Sequence, residues 1–316
     1  MKFRVLLLTF AIMMVGCGGD NSSKSKGSSG QATSTAAAKK QAFMPPMIPA
    51  HIADPQAKLD YMVDHFWDNY SFSDSLLLSD MQVTGEAFTT YAELLRMVPA
   101  ARVEQSVTAL LSTSFDADSL SFATFTTLFE NYFHNPNSPY MNEETYIPAL
   151  RYIIGNEKIE PINKLRAQAQ LTMALKNRVG HKAADFEYML RSGKSGKMHD
   201  IEAEYTILFF NNPDCHDCTR VKEFFVGSAQ LNALQQQGEL KILSIYPDST
   251  IELWRETQYP DMMINSYDKG QVISQNDLYD LKAIPTLYLL DSEKRVLLKD
   301  APIEMIEAYL LQQHRQ

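Results

Sequence analysis

The apolar positions of the chain follow two different periods, and the change falls near Gly180. Before it they recur at helical spacing. Asp54-Pro55 offers a capping carboxylate followed by a proline in the first turn, and Leu59, Met62, Val63, Phe66 and Trp67 then share one face, which predicts a helix from that point. The same period predicts helices over residues 86–97 (Phe88, Tyr91, Leu94, Leu95), 101–112 (Val103, Val107, Leu110, Leu111) and 119–133 (Leu120, Phe122, Phe125, Leu128, Phe129). Two more are expected over 143–154 and 161–178. No strand alternation interrupts them, so residues 50–179 read as an all-α helical domain of roughly six helices. Its apolar periods are self-contained, which predicts a unit that folds by itself.

Beyond Gly180 the pattern turns to strands. Residues 184–189 lead into a turn at 191–196, and the unbroken apolar run 205–210 suits a buried central strand. Residues 240–246 make the next one, and 286–290 pairs with 295–298 around an Asp291-Ser292-Glu293-Lys294 turn. Between these lie helical stretches: Val221, Phe224, Phe225 and Leu231 after Cys215, residues 248–256, a short helix at 277–281, and a terminal helix from Ile303. The second half, 180–316, is thus an α/β domain.

Length and composition agree with two domains: the chain has 316 residues, 45% apolar and 21% charged. A formal net charge of -9, with no Lys/Arg stripe interleaved with aromatics, leaves nothing to neutralise a phosphate backbone, so no nucleic acid partner is expected. The N-terminus has its own signature. Lys2 and Arg4 precede a short apolar core, residues 5–15, that ends in Met14-Val15-Gly16-Cys17 and is too short to span a bilayer. A small residue directly before a cysteine resembles the bacterial lipoprotein signal. That resemblance implies that residues 1–17 are a signal peptide and that Cys17 becomes a lipidated N-terminus; the alternative is an ordinary cleaved signal with an incidental cysteine. Residues 18–42 are rich in Gly, Ser, Thr, Ala and Lys, and 18–49 read as a flexible tether. The expected location is the periplasm, anchored to a bacterial membrane, the outer rather than the inner.

With Cys17 set aside, the chain keeps a single close cysteine pair, Cys215-His216-Asp217-Cys218. In an oxidising compartment stray thiols mispair, so a lone pair is informative. A loop this short stabilises little as a staple, and reversible chemistry explains the pair better. A strand that delivers Cys-x-x-Cys to a helix start, with Ile284-Pro285-Thr286 ahead of a last hairpin, resembles the thioredoxin superfamily across residues 180–316. The chain is most similar to its membrane-tethered TlpA/ResA-like branch: Gly180-His181-Lys182-Ala183-Ala184-Asp185-Phe186 mimics that branch's entry hairpin, and Tyr279-Asp280-Leu281-Lys282-Ala283-Ile284-Pro285-Thr286 echoes its Tyr-x-Val-x-x-x-Pro-Thr pattern. The helical half looks like a domain of unknown activity fused to such thioredoxins in Gram-negative lipoproteins.

The resemblance implies catalysis by Cys215 as attacking thiol and Cys218 as resolver, without a cofactor. It implies that Pro285 is a cis-proline whose loop lets the Ile284 backbone pair with an extended substrate. A helix N-terminus favours the Cys215 thiolate, Asp214 and Asp217 oppose it, and a protonated His216 would favour it; these three flank the place where substrate must sit. The chain departs from the family in having Asp214 where a Trp precedes the first cysteine and Phe209 where a buried acid or amide is usual. A metal site built from Cys215, Cys218 and His216 lacks a second ligand pair, so no metal is expected. Thr219 is wrong for c-type haem attachment and Asn212 for a peroxiredoxin. The expected partners are exported proteins with disulfides and a membrane electron donor. The rival readings are a lipoprotein binding module with a thioredoxin-like scaffold, and copper or zinc handling through the Cys-x-x-Cys.

Overall fold

Residues 43–314 are described by a computed structural model. The expected signal peptide, the lipidation site Cys17 and most of the tether lie outside the described residues. Among the described residues no helix is long and apolar enough to cross a membrane.

Seven helices open the described chain: α1 (Pro55–His65), α2 (Ser75–Ser79), α3 (Met81–Leu95), α4 (Ala100–Ala117), α5 (Ser119–Phe133), α6 (Glu143–Gly155) and α7 (Pro161–Ala174). Asp54 caps α1 as expected, its carboxylate accepting from the Ala57 N–H at 2.7 Å. The short α2 has too few residues to show a period, but Asp74 and Asp80 cap it and α3 in turn. The bundle closes around aromatic rings: Trp67 is ringed by Phe66, Tyr70, Tyr91 and Phe125. Phe43 stacks on Trp67 at 5.5 Å, and Asn69 donates to the Met44 carbonyl. The last residues of the expected 18–49 tether are therefore held on the bundle, because Phe43 has an apolar surface to cover.

The second half is a seven-stranded sheet in the order β2-β1-β5-β4-β3-β6-β7, with β1 (Glu187–Leu190), β2 (Ser195–Lys197), β3 (Tyr205–Phe210), β4 (Leu240–Tyr246), β5 (Met263–Tyr267), β6 (Thr286–Leu290) and β7 (Val296–Lys299). Parallel β3 and β4 form its middle, and β6 runs antiparallel to β3. Side chains alternate across a strand. Ile207 and Phe209 of β3 accordingly join one core with α8 (His216–Gly227), α9 (Ala229–Gln236) and α12 (Ile303–Gln313), while Leu208 and Phe210 join a second core on the other face. Both faces are covered, which is why 205–210 reads as a continuous apolar run. Segment 180–183, on leaving the helical half, lies along β7, with the Gly180 N–H donating to the Val296 carbonyl and the Val296 N–H to the His181 carbonyl.

Two expectations need correction. The helix expected over 277–281 lies upstream, as α11 (Val272–Gln275), preceded by α10 (Ile251–Glu256). Asp277 has φ of 49°, a left-handed conformation through which a right-handed helix does not continue, and the Tyr279 hydroxyl turns inward to donate to the Ala184 carbonyl at 2.6 Å. Strand β5 was not expected, because polar residues interrupt it and are satisfied inside the fold: buried Ser266 donates to the Ser244 carbonyl, and half-buried Asn265 accepts from Trp254 Nε1.

The two halves have separate apolar cores but meet through buried polar contacts, and the described residues 43–314 all fall within one compact unit. Glu143, the first residue of α6, is 6% exposed and lies 2.6 Å from both Lys282 and Lys299 of the sheet half. Asn177 donates to the Leu278 carbonyl, and Lys176 to that of Asp277.

Candidate functional site

The last residues of β3 set up the loop that carries the cysteines. Asn211 is fully buried, with its side-chain amide donating to Ser244 Oγ at 2.8 Å and its backbone N–H to the Ile245 carbonyl, which fastens the strand end to β4. Asn212 donates to Asp248 at 2.9 Å and accepts from the Asp214 N–H. The structural role of neither residue was read from the sequence; Asn-Asn closing an apolar strand was the available signal.

Cys215 is the N-cap of α8. Its Sγ accepts the Cys218 N–H at 3.0 Å, and the Thr219 N–H bonds to its carbonyl at 3.1 Å. The sulfur thus lies on unpaired donors at a helix start, where negative charge is favoured. Cys215 is half-buried, Cys218 one turn on is fully buried among apolar side chains, and the two are joined as a disulfide with Cα atoms 5.2 Å apart. His216 is almost fully exposed, 3.9 Å from Asp217, and Asp214 is exposed as well. The Ile284–Pro285 peptide is cis, as the motif implied, and the Ile284 carbonyl oxygen lies 3.6 Å from Cys215 Sγ. Phe209 stands on the Cys218 side of the sheet against Phe225, so the usual acid position is apolar here. Among the described residues no group of three His, Cys, Asp or Glu side chains converges as a metal-holding cluster.

Beside the cysteines and the Ile284–Pro285 loop opens a cleft of about 300 Å³ whose lining includes Asp217, Arg220 and Asp300. Sequence reasoning missed Asp300, which follows β7 with φ of 50°. Its Oδ2 is buried without a hydrogen-bond partner. Burial, then the neighbouring Glu143 carboxylate, pushes its carboxyl up to about 7 against the pull of Lys299 and Lys282. A folded value above the ordinary one means that the fold prefers the protonated acid. Its contribution to stability is complete below about pH 4 and is lost as pH rises through about 7. Asp300→Asn keeps a residue that tolerates positive φ and removes the charge. It is expected to stabilise the protein by about 1–2 kcal/mol at pH 8 and hardly at all at pH 4. Thermal unfolding at the two pH values checks this; equal shifts at both would rule out ionisation as the cause.

Comparison with known proteins gives a consistent picture. Residues 21–177 match the family described as domain of unknown function DUF5106. A thioredoxin-like protein from Bacteroides caccae, solved as a crystal structure, is 40% identical and superposes with a TM-score of 0.82, over 86% of this chain and 98% of its own. The C-terminal domain of an uncharacterised protein from Bacteroides fragilis is 47% identical over 43% of this chain and 98% of its own, with a TM-score of 0.42. A conserved protein of unknown function from the same species is 38% identical over 42% of this chain and 98% of its own, at a TM-score of 0.41. No curated protein matches the chain. With that identity sustained over nearly the whole of the Bacteroides caccae protein, the chain belongs to the same thioredoxin-like family.

Proposed function

We propose that the protein is a thiol-disulfide oxidoreductase of the TlpA/ResA-like kind, reducing or isomerising disulfides of exported proteins, and that it works in the periplasm as a lipoprotein anchored through Cys17 to the outer membrane. The observation that carries the reading is the placing of Cys215, an N-cap thiol at the edge of the Ile284–Pro285 loop with Cys218 buried behind it. In the reduced protein the Cys215 thiolate attacks one sulfur of a substrate disulfide. An S–S bond forms between enzyme and substrate, and the other substrate sulfur leaves as a thiolate that takes up a proton. Cys218 then gives up its proton and attacks Cys215 Sγ; the mixed disulfide breaks, the second substrate thiol departs, and the Cys215–Cys218 disulfide remains. Both electrons of the dithiol have passed to the substrate, and a dithiol donor at the membrane restores it. Asp214 and Asp217 beside the pair disfavour the thiolate, which fits a reducing couple.

Insulin reduction tests the reading. With a small excess of dithiothreitol, the protein is expected to accelerate precipitation of the freed B chain at least about tenfold over dithiothreitol alone, in the manner of an activated thiol. No acceleration would overturn it. Pulse alkylation of the reduced protein is expected to label Cys215 before Cys218.

A further inference from the structure

The cleft beside the redox pair is not built by the sheet half alone. Its far wall comes from the helical half, where residues 136–141 join α5 to α6 and Pro136, Asn137 and Met141 face the Ile284–Pro285 loop across the opening. That connection is held tightly. The Ser138 N–H donates to the Asn135 carbonyl, Met141 N–H to that of Ser138 and Asn142 N–H to that of Phe133, while the Tyr140 ring stacks on Tyr132 at 5.4 Å. Glu143, directly after it, is paired with Lys282 and with Lys299, which precede Ile284 and Asp300 on the two sides of the cleft. One carboxylate thus fixes the helical wall against two parts of the sheet half, the loop ahead of β6 and the end of β7.

The charges in the cleft are unequal. Its cations already have partners: Arg220 donates to Glu304 at 2.7 Å, and Lys282 to Glu143 and Asp280. Asp217 is largely exposed, 3.9 Å from His216, and the buried Asp300 Oδ2 has no hydrogen-bond partner among the described residues. A carboxyl oxygen buried without a hydrogen-bond partner at the wall of a cleft is a departure from good packing of the sort found at functional sites.

We propose that this two-walled cleft is the specificity site of the protein, and that it takes an extended segment of substrate carrying Lys or Arg beside the cysteine to be reduced, with Asp300 and Asp217 as its cation partners and Asn137 on the helical wall. This rests on the thiol-disulfide exchange reading above. It makes the helical half part of the enzyme's selectivity, because the sheet half by itself would offer only one side of the groove.

The test uses the full reduced protein and two synthetic peptides that differ only in having Lys or Glu on either side of a single cysteine, capped as a mixed disulfide with thionitrobenzoate. Release of the coloured thiol is followed in single turnovers, and each rate is divided by that of the same peptide with free dithiothreitol, which removes the intrinsic effect of the flanking charge. The normalised Lys/Glu ratio is expected to be about 10 at low ionic strength, since steering by complementary charge acts mainly on association. It should fall towards unity in Asp300→Asn/Asp217→Asn and fall or invert in Asn137→Lys. A ratio near unity in the unmodified protein, or one that the substitutions leave unchanged, overturns the assignment. If neither peptide reacts and cystamine is not reduced either, the exchange chemistry itself has failed and the specificity site falls with it.

Discussion

Cys218→Ala is expected to leave Cys215 joined to captured proteins through mixed disulfides and to cut multiple-turnover reduction by roughly two orders of magnitude or more. The reason lies in the division of labour between the two sulfurs. Cys215, half-buried at the start of α8, is placed to meet a substrate disulfide, whereas Cys218 is sealed among apolar side chains and can reach only Cys215. Without the second sulfur the first attack still proceeds, but nothing displaces the partner. Affinity capture of the variant, followed by elution with reductant and mass spectrometry, identifies what was bound. Exported proteins with several cysteines should dominate if the protein reduces or isomerises them. Turnover that survives Cys218→Ala, or a failure to trap anything in the absence of reductant, would show that resolution does not depend on this cysteine.

The second large effect concerns stability. Glu143→Ala is expected to destabilise the protein by about 2–4 kcal/mol, since it takes the shared anion from half-buried Lys282 and Lys299, leaving Lys282 with Asp280 and Lys299 with backbone carbonyls alone. Burial pushes the Glu143 carboxyl up, but Lys299 and Lys282 outweigh it and hold it below the usual range. A depressed folded value gives stability that is present above the ordinary carboxylate range and lost as pH falls through the folded value. The gap between Glu143→Ala and the unmodified protein should therefore shrink below about pH 4. Denaturant unfolding across pH 3 to 8 measures it. The comparison with Glu143→Gln separates lost charge from lost packing, and a gap that is constant with pH would mean that the carboxylate charge contributes nothing.

How far the sequence foretold these features depends on the range of the contacts involved. The Cys-x-x-Cys pair, the proline ahead of β6 and the apolar strands are local patterns, and they were legible. So was the capping of α1 by Asp54. Glu143 could not be read in this way: its cation Lys282 lies 139 residues away, and nothing in either neighbourhood marks the pair. Nothing in the residues around Asp300 marks it, and only the approach of residues 136–141 makes it part of a cleft. Strand β5 failed for the opposite reason, since its buried serine and half-buried asparagine hide an interior strand behind polar letters. The helix misplaced at 277–281 reflects a tyrosine whose inward turn no periodicity encodes.

The lie of residues 180–183 along β7 has a further consequence. An open sheet ends in two rows of unpaired backbone groups that can template pairing with another chain. At one side, β2 is only Ser195–Lys197, short and ending in a lysine. At the other, the connecting segment covers the start of β7, where Gly180 and His181 bond to Val296 and the Ala183 N–H to the Lys294 carbonyl just before the strand. The junction between the halves therefore also serves as a guard strand against aggregation. A thioredoxin-like half released by cleavage after residue 183 would keep its redox pair but expose a sticky border, so limited proteolysis at this point should yield material that self-associates rather than a soluble domain.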